Sequence, residues 1–533
     1  MMDGRVKTLH PAIHAGLLAR RDRADDMAEV AGQGYAPIDL VAVNLYPFRE
    51  TVAAPDVTLG EAMQNVDIGG PTLIRAAAKN HRDVWVVVDP GDYGAVLEVL
   101  AGRGDGDGLR RRLAAKVFRE ISSYDSAVAD YLEGSGTRGV PPSQSDFVRS
   151  PNKVDDAMPP QVTLALTRRS LPRYGENPGQ DAGFYAPQGT SEGIAGLEQL
   201  HGKGLSYNNL LDLDGALLSL ASFAFALEPA VCIVKHTTPC GLALRPTLAA
   251  AFERARATDP VSAFGSVIAV NRPVDRDTAA GIGGMFVECV VAPGFTADAL
   301  EVLTAKKNMR LLRYAGSGEP HAREPVQDAR WMELDDSIRA AARWLARAAG
   351  HSGSAGHTDP AGQTGSAGET RPTGSVSFRS IYGGVLFQSL PDPPFHDPAA
   401  PGWKVVTARA PTGAELADLS FAWAAVAGVK SNAILLAKAL ATIGIGAGQT
   451  SRVDSSRLAV RKAREHGFAA DLGGCALASD AFFPFRDGVD AAAEAGAAAI
   501  IQPGGSIRDD EVVAAADEHG IAMVFTGRRL FRH

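Results

Sequence analysis

Residues 229–241 read Pro-Ala-Val-Cys-Ile-Val-Lys-His-Thr-Thr-Pro-Cys-Gly, and no other segment of the chain is as informative. The apolar part, residues 229–234, is typical of a short buried strand. Lys235 and His236 therefore reach a sheet edge side by side, just before a predicted Pro-Cys-Gly turn. A neighbouring ammonium disfavours the imidazolium, so we expect His236 to be largely neutral and available as a base near pH 7. Lys235 can then stabilise negative charge or return a proton. The alternative is a pair of solvated loop residues.

Apolar runs alternate with helical periodicities along most of the chain, which is typical of an α/β protein. Strands are predicted at residues 38–45, 84–88, 230–234, 266–270, 499–501 and 521–525. Helices are predicted at residues 109–132, 247–257, 455–465 and 509–518.

The composition is that of an ordinary globular protein: 45% of the 533 residues are hydrophobic and 21% are charged. This length is enough for about two to four domains. The net charge of -8 argues against wholesale binding to nucleic acid or an anionic membrane, so an anionic ligand needs local arginines and lysines. No apolar run approaches the ~18 residues that span a bilayer, and no apolar signal segment is seen. The scattered cysteines argue against disulfides and a thiolate zinc site, and they fit a reducing cytosol.

Two stretches lack apolar periodicity. Residues 136–160 lie in a region rich in Gly, Pro, Ser and charge, and we predict a linker there. Residues 353–360 (Gly-Ser-Ala-Gly-His-Thr-Asp-Pro) recur in altered form at 365–372 (Gly-Ser-Ala-Gly-Glu-Thr-Arg-Pro). A tract of this composition buries little apolar surface, so we expect a disordered insertion at about 351–374.

Longer motifs surround the Lys-His segment in a fixed order. They are Arg-Tyr-Gly-Glu-Asn-Pro at 173–178, Leu-Ser-Tyr-Asn-Asn-Leu-Leu-Asp at 205–212, Asp-Pro-Val-Ser-Ala-Phe-Gly at 259–265, Lys-Ser-Asn-Ala at 430–433, Gly-Ile-Gly-Ala-Gly-Gln-Thr-Ser-Arg at 444–452, Ser-Asp-Ala-Phe-Phe-Pro-Phe-Arg-Asp at 479–487, Gln-Pro-Gly-Gly-Ser at 502–506 and Arg-Leu-Phe-Arg-His at 529–533. In this order they closely resemble the PurH family of bifunctional purine-biosynthesis proteins. That family couples a formyltransferase acting on aminoimidazole carboxamide ribonucleotide (AICAR) to an IMP cyclohydrolase.

The resemblance implies an α/β architecture in three parts. These are a truncated, methylglyoxal-synthase-like cyclohydrolase domain at 1–135, the linker at 136–160, and a formyltransferase domain at 161–533 made of two tandem cytidine-deaminase-like subdomains. True deaminases carry Pro-Cys-x-x-Cys and a zinc-bound water where this chain has Pro239-Cys240-Gly241. Because no second thiol follows Cys240, a zinc deaminase is disfavoured and no metal is expected.

The chemistry of the substrate suggests roles for three residues. The amine of AICAR is conjugated with its carboxamide, so a base has to remove its proton as it attacks the formyl carbon of 10-formyltetrahydrofolate. We assign that base to His236. Lys235 stabilises the developing oxyanion or protonates the departing folate nitrogen, and Asn432 orients the reacting amide. Such roles are each worth roughly 10²–10⁴ in rate.

The resemblance also implies the binding residues. The implied nucleotide contacts are Arg173, Tyr174, Arg452, Phe482, Arg529 and His533. The implied folate contacts are Val453, Asp487, Ser506 and Ile507. The glycines at 444, 446 and 448 do not match the dinucleotide motif G-x-G-x-x-G, so we interpret them as a tight loop that presents Arg452 to phosphate. Gly179 replaces a family histidine and Ser266 a family glycine or aspartate, from which we expect reduced efficiency.

The first residues resemble the middle of the family's cyclohydrolase domain. The matching motifs are Arg-Val-Lys-Thr-Leu-His-Pro at 5–11, Asn-Leu-Tyr-Pro-Phe at 44–48, Asp-Ile-Gly-Gly at 67–70 and Ala-Ala-Ala-Lys-Asn-His at 76–81. The implied catalytic residues are Lys7, Tyr46, Asp67 and Lys79, and the implied substrate contacts are Arg5, Thr8 and Asn44. In this scheme Lys79 protonates the departing oxygen, while Asp67 and Tyr46 position the amide. Ring closure within one molecule needs little more than a held conformer and proton movement.

The family's opening strands and phosphate loops precede the motif that starts here at residue 5. A sheet without its first strands loses core area and part of a phosphate cradle. The alternative to a bifunctional enzyme is therefore a transformylase alone, with cyclohydrolase activity reduced or lost through N-terminal truncation.

The resemblance implies small-molecule partners: AICAR, formyl-AICAR and IMP, with 10-formyltetrahydrofolate as co-substrate. It further implies a cytoplasmic homodimer that binds neither nucleic acid nor membrane. A noncatalytic nucleotide-binding protein on the same scaffold is disfavoured by Lys235, His236 and Asn432, because a pure binder needs no base beside its ligand.

Overall fold

The computed structural model describes residues 8–53, 57–132, 166–187, 193–314, 376–381, 384–389, 394–396 and 403–533, together with residues 338, 339, 342 and 345. The chain divides into two compact units, Met1–Ala165 and Leu166–His533. The predicted linker at 136–160 and the predicted insertion at about 351–374 lie outside the described residues, as do Arg5 and Lys7.

The first unit packs helices around a short parallel sheet. Its elements are α1 (Pro11–Leu18), α2 (Ala24–Gly32), β1 (Leu40–Ala42), α3 (Phe48–Ala53), α4 (Leu59–Gln64), α5 (Gly69–Lys79), β2 (Trp85–Val87), α6 (Tyr93–Leu100) and α7 (Gly106–Leu132). Strands β1 and β2 pair in parallel, with Leu40 opposite Trp85. Ile74 of α5 and Val117 of α7 are buried in one cluster with Val86 of β2. The apolar faces of both helices therefore cover the sheet.

The second unit contains two six-stranded sheets among its described residues. The hairpin β3 (Leu166–Ser170)–β4 (Phe184–Pro187) comes first. The first sheet and its helices are β5 (Leu197–His201), α8 (Tyr207–Ala221), β6 (Ala230–Lys235), β7 (Thr238–Leu244), α9 (Leu248–Thr258), β8 (Ser266–Val270), α10 (Arg276–Gly283), β9 (Val287–Ala292), α11 (Ala297–Thr304) and β10 (Arg310–Tyr314).

A second hairpin, β11 (Val376–Ile381)–β12 (Gly384–Ser389), lies between the two sheets in the sequence. The second sheet and its helices follow it. They are β13 (Lys404–Val405), α12 (Gly413–Val426), β14 (Ile434–Ala437), β15 (Thr442–Gly446), α13 (Arg452–Glu465), β16 (Cys475–Ser479), α14 (Asp487–Ala495), β17 (Ala497–Gln502), α15 (Asp509–Glu518) and β18 (Ala522–Phe525).

The two six-stranded sheets have the same topology. The strand order is β5-β10-β9-β8-β6-β7 in the first and β13-β18-β17-β16-β14-β15 in the second. In each order the first pair is antiparallel, the next two pairs are parallel and the last two are antiparallel. The sheets meet at their last strands, where the amide of Leu242 donates a 3.0 Å hydrogen bond to Thr442 Oγ1. The second unit is thus built from two halves of equal topology joined edge to edge.

The core of the second unit explains why the strand at 229–234 is continuously apolar. Val234 belongs to a central buried cluster that includes residues of α8, α12 and both sheets. Ile233 belongs to a separate cluster with Phe252 of α9, on the other face of the first sheet. Residues 230–234 of β6 are therefore buried on both faces, and none of these five positions favours a polar side chain.

The predicted α/β class is confirmed, and each predicted strand and helix is present. The strand at 266–270 and the helix at 509–518 have the predicted bounds, and each of the others has at least one end shifted by one to three residues. The predicted strand at 499–501, for example, is the central part of β17. None of the helices in the described part of the chain is long and apolar enough to cross a membrane.

The predicted Pro-Cys-Gly turn is wrong. Residues 239–241 lie within β7, and the chain reverses direction two residues earlier, because Lys235 pairs with Thr238 across the hairpin. Cys240 is the extra residue of a register shift between β6 and β7. The turn itself contains no Gly, Asn or Pro, so the sequence carried none of the usual turn signals.

The predicted tight loop at residues 444–448 is also largely wrong. Gly444 and Gly446 are part of β15. A Cβ at Gly444 would lie 2.2 Å from the carbonyl oxygen of Ala459, and one at Gly446 would lie 1.9 Å from that of Ser455. The two glycines are needed because helix α13 packs directly against the strand, and Gly448, with φ 67°, is the one that belongs to the loop.

Candidate active site

The Lys-His pair lies at the tip of a tight hairpin. Lys235 is the last residue of β6, and His236 and Thr237 form the turn with φ values of 53° and 63°. Two successive residues with positive φ are typical of the type I′ turn, whose twist matches that of the flanking strands. The buried strand predicted from the sequence thus ends in two ionisable side chains at an edge of the first sheet.

A cavity of about 190 Å³ lies beside this hairpin. Its lining residues are Lys235, His236, Thr238, Pro239, Cys240, Thr258, Asp259, Ser262, Ile445, Ala447, Leu458 and Lys462. The first eight come from the half of the unit that holds the first sheet, and the last four come from β15, α13 and the loop between them. Both halves therefore build the cavity.

The ammonium group of Lys235 is fixed at the cavity by a backbone contact. Its Nζ donates a 2.7 Å hydrogen bond to the carbonyl oxygen of Phe264. Phe264 is 59% exposed and Phe286 is 45% exposed. Their ring centroids are 5.3 Å apart. An exposed aromatic pair therefore adjoins the lysine, a feature that sequence reasoning missed although Phe264 belongs to one of the quoted motifs.

A second charged pair lines the same cavity. Lys462 Nζ donates a 2.7 Å hydrogen bond to Asp259 Oδ2, and the amide and hydroxyl of Ser262 donate to the same carboxylate at 2.9 and 2.8 Å. His466 Nε2 lies 3.5 Å from Asp259 Oδ1. Sequence reasoning missed Lys462, and the available signal was the four-residue spacing of Leu458, Lys462 and His466, which runs along one face of α13 to the residue after its end.

The carboxyl of Asp259 has a shifted pKa. Burial alone would raise this pKa, but the hydrogen bonds from Lys462 and Ser262 outweigh burial and hold it below the ordinary aspartate value. A depressed carboxyl pKa stabilises the fold above the unfolded pKa of about 3.9. That stabilisation is lost as the pH falls through the folded pKa.

We expect the substitution Asp259→Asn to lower the free energy of unfolding most near pH 7 and progressively less below about pH 4. At low pH the wild-type carboxyl is itself protonated, so the two proteins converge. Urea unfolding of both proteins at about pH 7 and pH 3 measures the difference. A difference of the same size at both pH values would contradict this account of Asp259.

The thiol of Cys240 also lines the cavity. It is buried and donates a 3.4 Å hydrogen bond to the carbonyl oxygen of Ile233. Burial raises the pKa of Cys240 to about 12. Because the thiolate is the reactive form, this cysteine is a poor nucleophile at neutral pH.

The structure brings Asn432 and Arg452 together. Arg452 Nη2 donates a 2.9 Å hydrogen bond to Asn432 Oδ1, and Nη1 donates to Ser479 Oγ at 2.8 Å. Nη1 also pairs with Asp480, whose side chain is 0% exposed, while that of Arg452 is 9% exposed. The side-chain nitrogen Nδ2 of Asn432 donates to the carbonyl oxygen of Gln449 at 3.0 Å. A phosphate bound by Arg452 would therefore meet a guanidinium that is nearly buried and already holds Asn432.

The C-terminal residues lie against the same segment. The amide of Ser431 donates a 2.8 Å hydrogen bond to the carbonyl oxygen of Arg532, and the amide of Leu530 donates to that of Asp480 at 2.9 Å. Arg529 is exposed, with its guanidinium carbon 4.8 Å from the centroid of the Phe531 ring. The predicted nucleotide contacts Arg529 and His533 are thus in the chain segment next to Asn432.

The predicted contacts Arg173 and Tyr174 lie in the loop between β3 and β4. Arg173 is exposed, with its guanidinium carbon 5.5 Å from the centroid of the Tyr174 ring. Asn208 Nδ2 donates a 3.3 Å hydrogen bond to the carbonyl oxygen of Glu176, which ties the loop to the start of α8. Gly179, in the same loop, has φ 89°, a conformation that favours glycine over residues with a side chain.

The predicted folate contacts are at the surface around the second sheet. Asp487 begins α14 and is exposed, and Val453 is half-buried in the first turn of α13. Ser506 is half-buried, and its amide donates a 3.1 Å hydrogen bond to Asp509 Oδ1. Ile507 is fully exposed. Phe482, predicted to flank the nucleotide, is half-buried between β16 and α14.

In the first unit, three predicted residues lie in two places. Asp67 Oδ1 accepts a 2.7 Å hydrogen bond from the amide of Gly70 in the first turn of α5. A Cβ at Gly69 would lie 2.5 Å from Thr8 Oγ1, so Thr8 is next to the same helix start. Lys79 is the last residue of α5, roughly 15 Å along the helix axis. The structure thus brings Thr8 and Asp67 together and separates Lys79 from them.

The remaining predicted residues of the first unit follow β1. Asn44 and Tyr46 are exposed, the latter by 40%. Leu45, between them, lies close to Gly70, since a Cβ there would be 3.0 Å from Leu45 Cδ2. The segment that carries Asn44 and Tyr46 is therefore adjacent to the helix start near Asp67.

Comparison with known proteins supports one family for the whole chain. The model of the AICARFT/IMPCHase bienzyme family matches residues 77–334 and 365–462. The chain is 46% identical over 535 residues to the bifunctional purine biosynthesis protein PurH of Acidithiobacillus ferrooxidans, covering 100% of this chain and 88% of that protein. It is 47% identical over 534 residues to PurH of Chloroflexus aurantiacus, with the same coverage.

Proposed function

Since the chain belongs to the AICARFT/IMPCHase bienzyme family, we propose that it formylates AICAR and then closes formyl-AICAR to IMP in purine biosynthesis. The formyl donor is folate-derived, and we propose 10-formyltetrahydrofolate. The observation that carries formyl transfer is the position of Lys235 and His236 at a cavity built from both halves of the second unit.

We propose that His236 removes a proton from the AICAR amine while the nitrogen attacks the formyl carbon. The carbonyl oxygen then carries the negative charge of a tetrahedral intermediate. When the bond from that carbon to the folate nitrogen breaks, the carbonyl re-forms and the leaving nitrogen takes up a proton. A positioned base contributes roughly 10²–10⁴ in rate.

Lys235 is the proposed electrostatic partner of that step. Its hydrogen bond to Phe264 holds one ammonium N–H, and the remaining two can point to the oxyanion or to the leaving nitrogen. Fixed donors of this kind are effective because they need little reorganisation during the reaction.

Asn432 is the proposed orienting group for the carboxamide of AICAR. Its side-chain amide is held at both ends, by Arg452 at Oδ1 and by Gln449 and Thr450 at Nδ2. A carbonyl oxygen has a second lone pair, which can accept a hydrogen bond from the substrate amide. The hydrogen bonds from Arg452 and to Gln449 and Thr450 thus fix the orientation of the side-chain amide, with Oδ1 as the atom that accepts from a ligand.

The exposed pair Phe264–Phe286 gives the proposed folate site an apolar surface next to Lys235. Folates carry two aromatic ring systems, and aromatic pairs gain about 0.5–1.5 kcal/mol beyond the area that they bury. We propose that this pair contacts the folate together with Val453, Asp487, Ser506 and Ile507.

The finer architecture is a proposal as well. We propose a methylglyoxal-synthase-like domain at 1–135, the linker at 136–160 and two cytidine-deaminase-like subdomains at 161–533. The equal strand order of the two six-stranded sheets supports the duplication. We further propose a cytoplasmic homodimer with AICAR, formyl-AICAR and IMP as its small-molecule partners.

For the cyclohydrolase we propose Lys7, Tyr46, Asp67 and Lys79 as catalytic groups and Arg5, Thr8 and Asn44 as substrate contacts. Separate assays test the two reactions: formyl-AICAR formed from AICAR and the folate, and IMP formed from supplied formyl-AICAR. If the chain is bifunctional, the purified protein forms both products. Formation of formyl-AICAR without any IMP would contradict the proposed cyclohydrolase activity.

The substitution Lys79→Ala is expected to slow IMP formation from supplied formyl-AICAR by about 10²-fold, the lower end for a proton donor, because intramolecular ring closure depends mainly on conformation. Formyl transfer should stay within about twofold of wild type, because the two reactions use different residues. The exposed residue Lys404, on β13, offers a control substitution of the same kind. A parallel loss of both activities in Lys79→Ala would contradict the assignment of this lysine.

A further inference from the structure

We propose that Asp212 of α8 is a positioning residue that holds the Lys235–His236 hairpin in its reactive geometry. This inference rests on the proposed role of His236 in formyl transfer. Asp212 Oδ1 accepts a 2.7 Å hydrogen bond from the amide of Thr237, the residue that follows the histidine in the turn. The side chain is half-buried.

The turn needs such support because its backbone is unfavourable. His236 and Thr237 both have left-handed φ values, 53° and 63°. Left-handed backbone is uncommon outside glycine, and for a β-branched residue such as threonine it is a real outlier. A carboxylate that accepts the Thr237 amide favours this conformation over the extended alternatives.

Helix α8 also makes direct backbone contact with the turn. A Cβ at Gly215 would lie 2.8 Å from the carbonyl oxygen of Thr237 and 3.0 Å from its Cα. Asp212 and Gly215 are three residues apart and therefore lie on the same face of the helix. Asp212 and Gly215 thus both contact Thr237, and these contacts restrict movement of the turn relative to α8.

The pKa of the Asp212 carboxyl depends on its burial and on the charges around the turn. Burial raises the pKa of this carboxyl, while the Thr237 amide, the positive charge of a protonated His236 and that of Lys430 partly oppose that rise, and Glu288 adds to it. Lys430 precedes the segment that carries Asn432. The charged groups that act on the Asp212 carboxyl thus include the proposed base, His236.

The second half of the unit contains a similar arrangement, in which a helix aspartate accepts hydrogen bonds from a hairpin turn that has no histidine. Asp418 of α12 accepts hydrogen bonds of 2.9 and 2.8 Å from the amides of Ala439 and Leu440. These two residues form the β14–β15 turn, with φ values of 51° and 54°. Lys438 precedes this turn as Lys235 precedes the other, and Ala439 takes the place of His236. Asp418 therefore provides a matched control for Asp212.

We expect Asp212→Ala to lower kcat for formyl transfer by about 10²-fold, since displacing a reacting group by about 1 Å costs that much. The KM for AICAR should change less than about threefold. Asp418→Ala removes the two hydrogen bonds to the other turn, one more than Asp212 makes, and should lower the melting temperature at least as much, with kcat unchanged. Asp212→Asn keeps an acceptor at the same position and should recover most of the lost kcat.

A second variant approaches the turn from the other side. Gly215→Ala places a methyl group against the Thr237 carbonyl, so we expect kcat to fall by about tenfold or more while AICAR still binds. This variant keeps the proposal testable if Asp212→Ala does not fold, because alanine is the better helix former.

The outcomes separate this inference from the proposed function. Equal kcat values for Asp212→Ala and Asp418→Ala would overturn the positioning role, as would an Asp212→Asn variant as slow as Asp212→Ala. Loss of turnover in His236→Ala in the same experiments would leave the proposed function standing. Full turnover in His236→Ala would instead remove the proposed base, whatever the Asp212 variants do.

Discussion

Replacing His236 by alanine is expected to reduce kcat for formyl transfer by up to about 10⁴-fold, the upper end of what a positioned general base supplies. The amine of AICAR is a weak nucleophile, and this variant lacks the imidazole that accepts its proton. The Kd for AICAR should stay within about threefold, because a base acts on the proton and is not needed to hold the nucleotide. Single-turnover kinetics and direct binding measurements separate the two effects.

The matched control is His201→Ala. His201 ends β5, at the opposite edge of the sheet from β7, and it is not among the residues lining the cavity. Its kcat is expected to match that of the wild-type protein. If His236→Ala turned over at the wild-type rate, or if both variants lost activity equally, the assignment of the base would be wrong.

Replacing Asp480 by alanine is expected to cost about 3–5 kcal/mol of unfolding free energy, because it leaves the guanidinium of Arg452 buried without its partner. Asp480 is 0% exposed and Arg452 is 9% exposed. The same substitution should also lower kcat, since Arg452 holds the side-chain amide of Asn432. Urea unfolding of the second unit and formyl-transfer kinetics measure the two consequences.

An exposed pair provides the comparison. Arg256 and Glu253 on α9 lie 2.6 Å apart with side chains 41% and 52% exposed. Glu253→Ala should cost less than about 1 kcal/mol, because solvent screens such pairs. A loss of about 1 kcal/mol or less of unfolding free energy in Asp480→Ala would contradict this prediction, because the buried pair would then contribute no more than an exposed one.

Much of the fold followed from local sequence patterns. The run at 229–234 predicted a buried strand because a short, wholly apolar run is typical of a strand whose two faces both meet apolar residues, as these residues of β6 do. Helix α15 was predicted at its observed bounds, since three acidic residues open it and apolar residues recur on one face.

The wrong predictions concern positions whose conformation or residue type is determined by contacts with residues elsewhere in the sequence. The turn at His236 and Thr237 has no local signal, because Asp212 and Gly215 on α8 stabilise it. The glycines at 444 and 446 resembled a loop, but they are required because helix α13 packs on the strand, with Ala459 against Gly444 and Ser455 against Gly446.

The candidate site shows the same limit. Sequence motifs identified Lys235, His236 and Asn432 individually. They could not reveal that Lys462 pairs with Asp259, because those residues are 203 positions apart. They also could not show that Arg452 contacts Asp480 and Asn432. An arginine is expected both where a phosphate binds and in a buried ion pair, so its residue type does not distinguish the two roles.

The central claim is that the His236 imidazole takes the proton of the AICAR amine. A crystal structure of the protein with AICAR bound measures this directly, as the distance between the ring nitrogen of His236 and the amino nitrogen of the ligand. We expect a hydrogen bond of about 2.6–3.2 Å, or one bridging water. An ordered AICAR whose amine contacts other residues, with His236 beyond the reach of a single water, would contradict the claim.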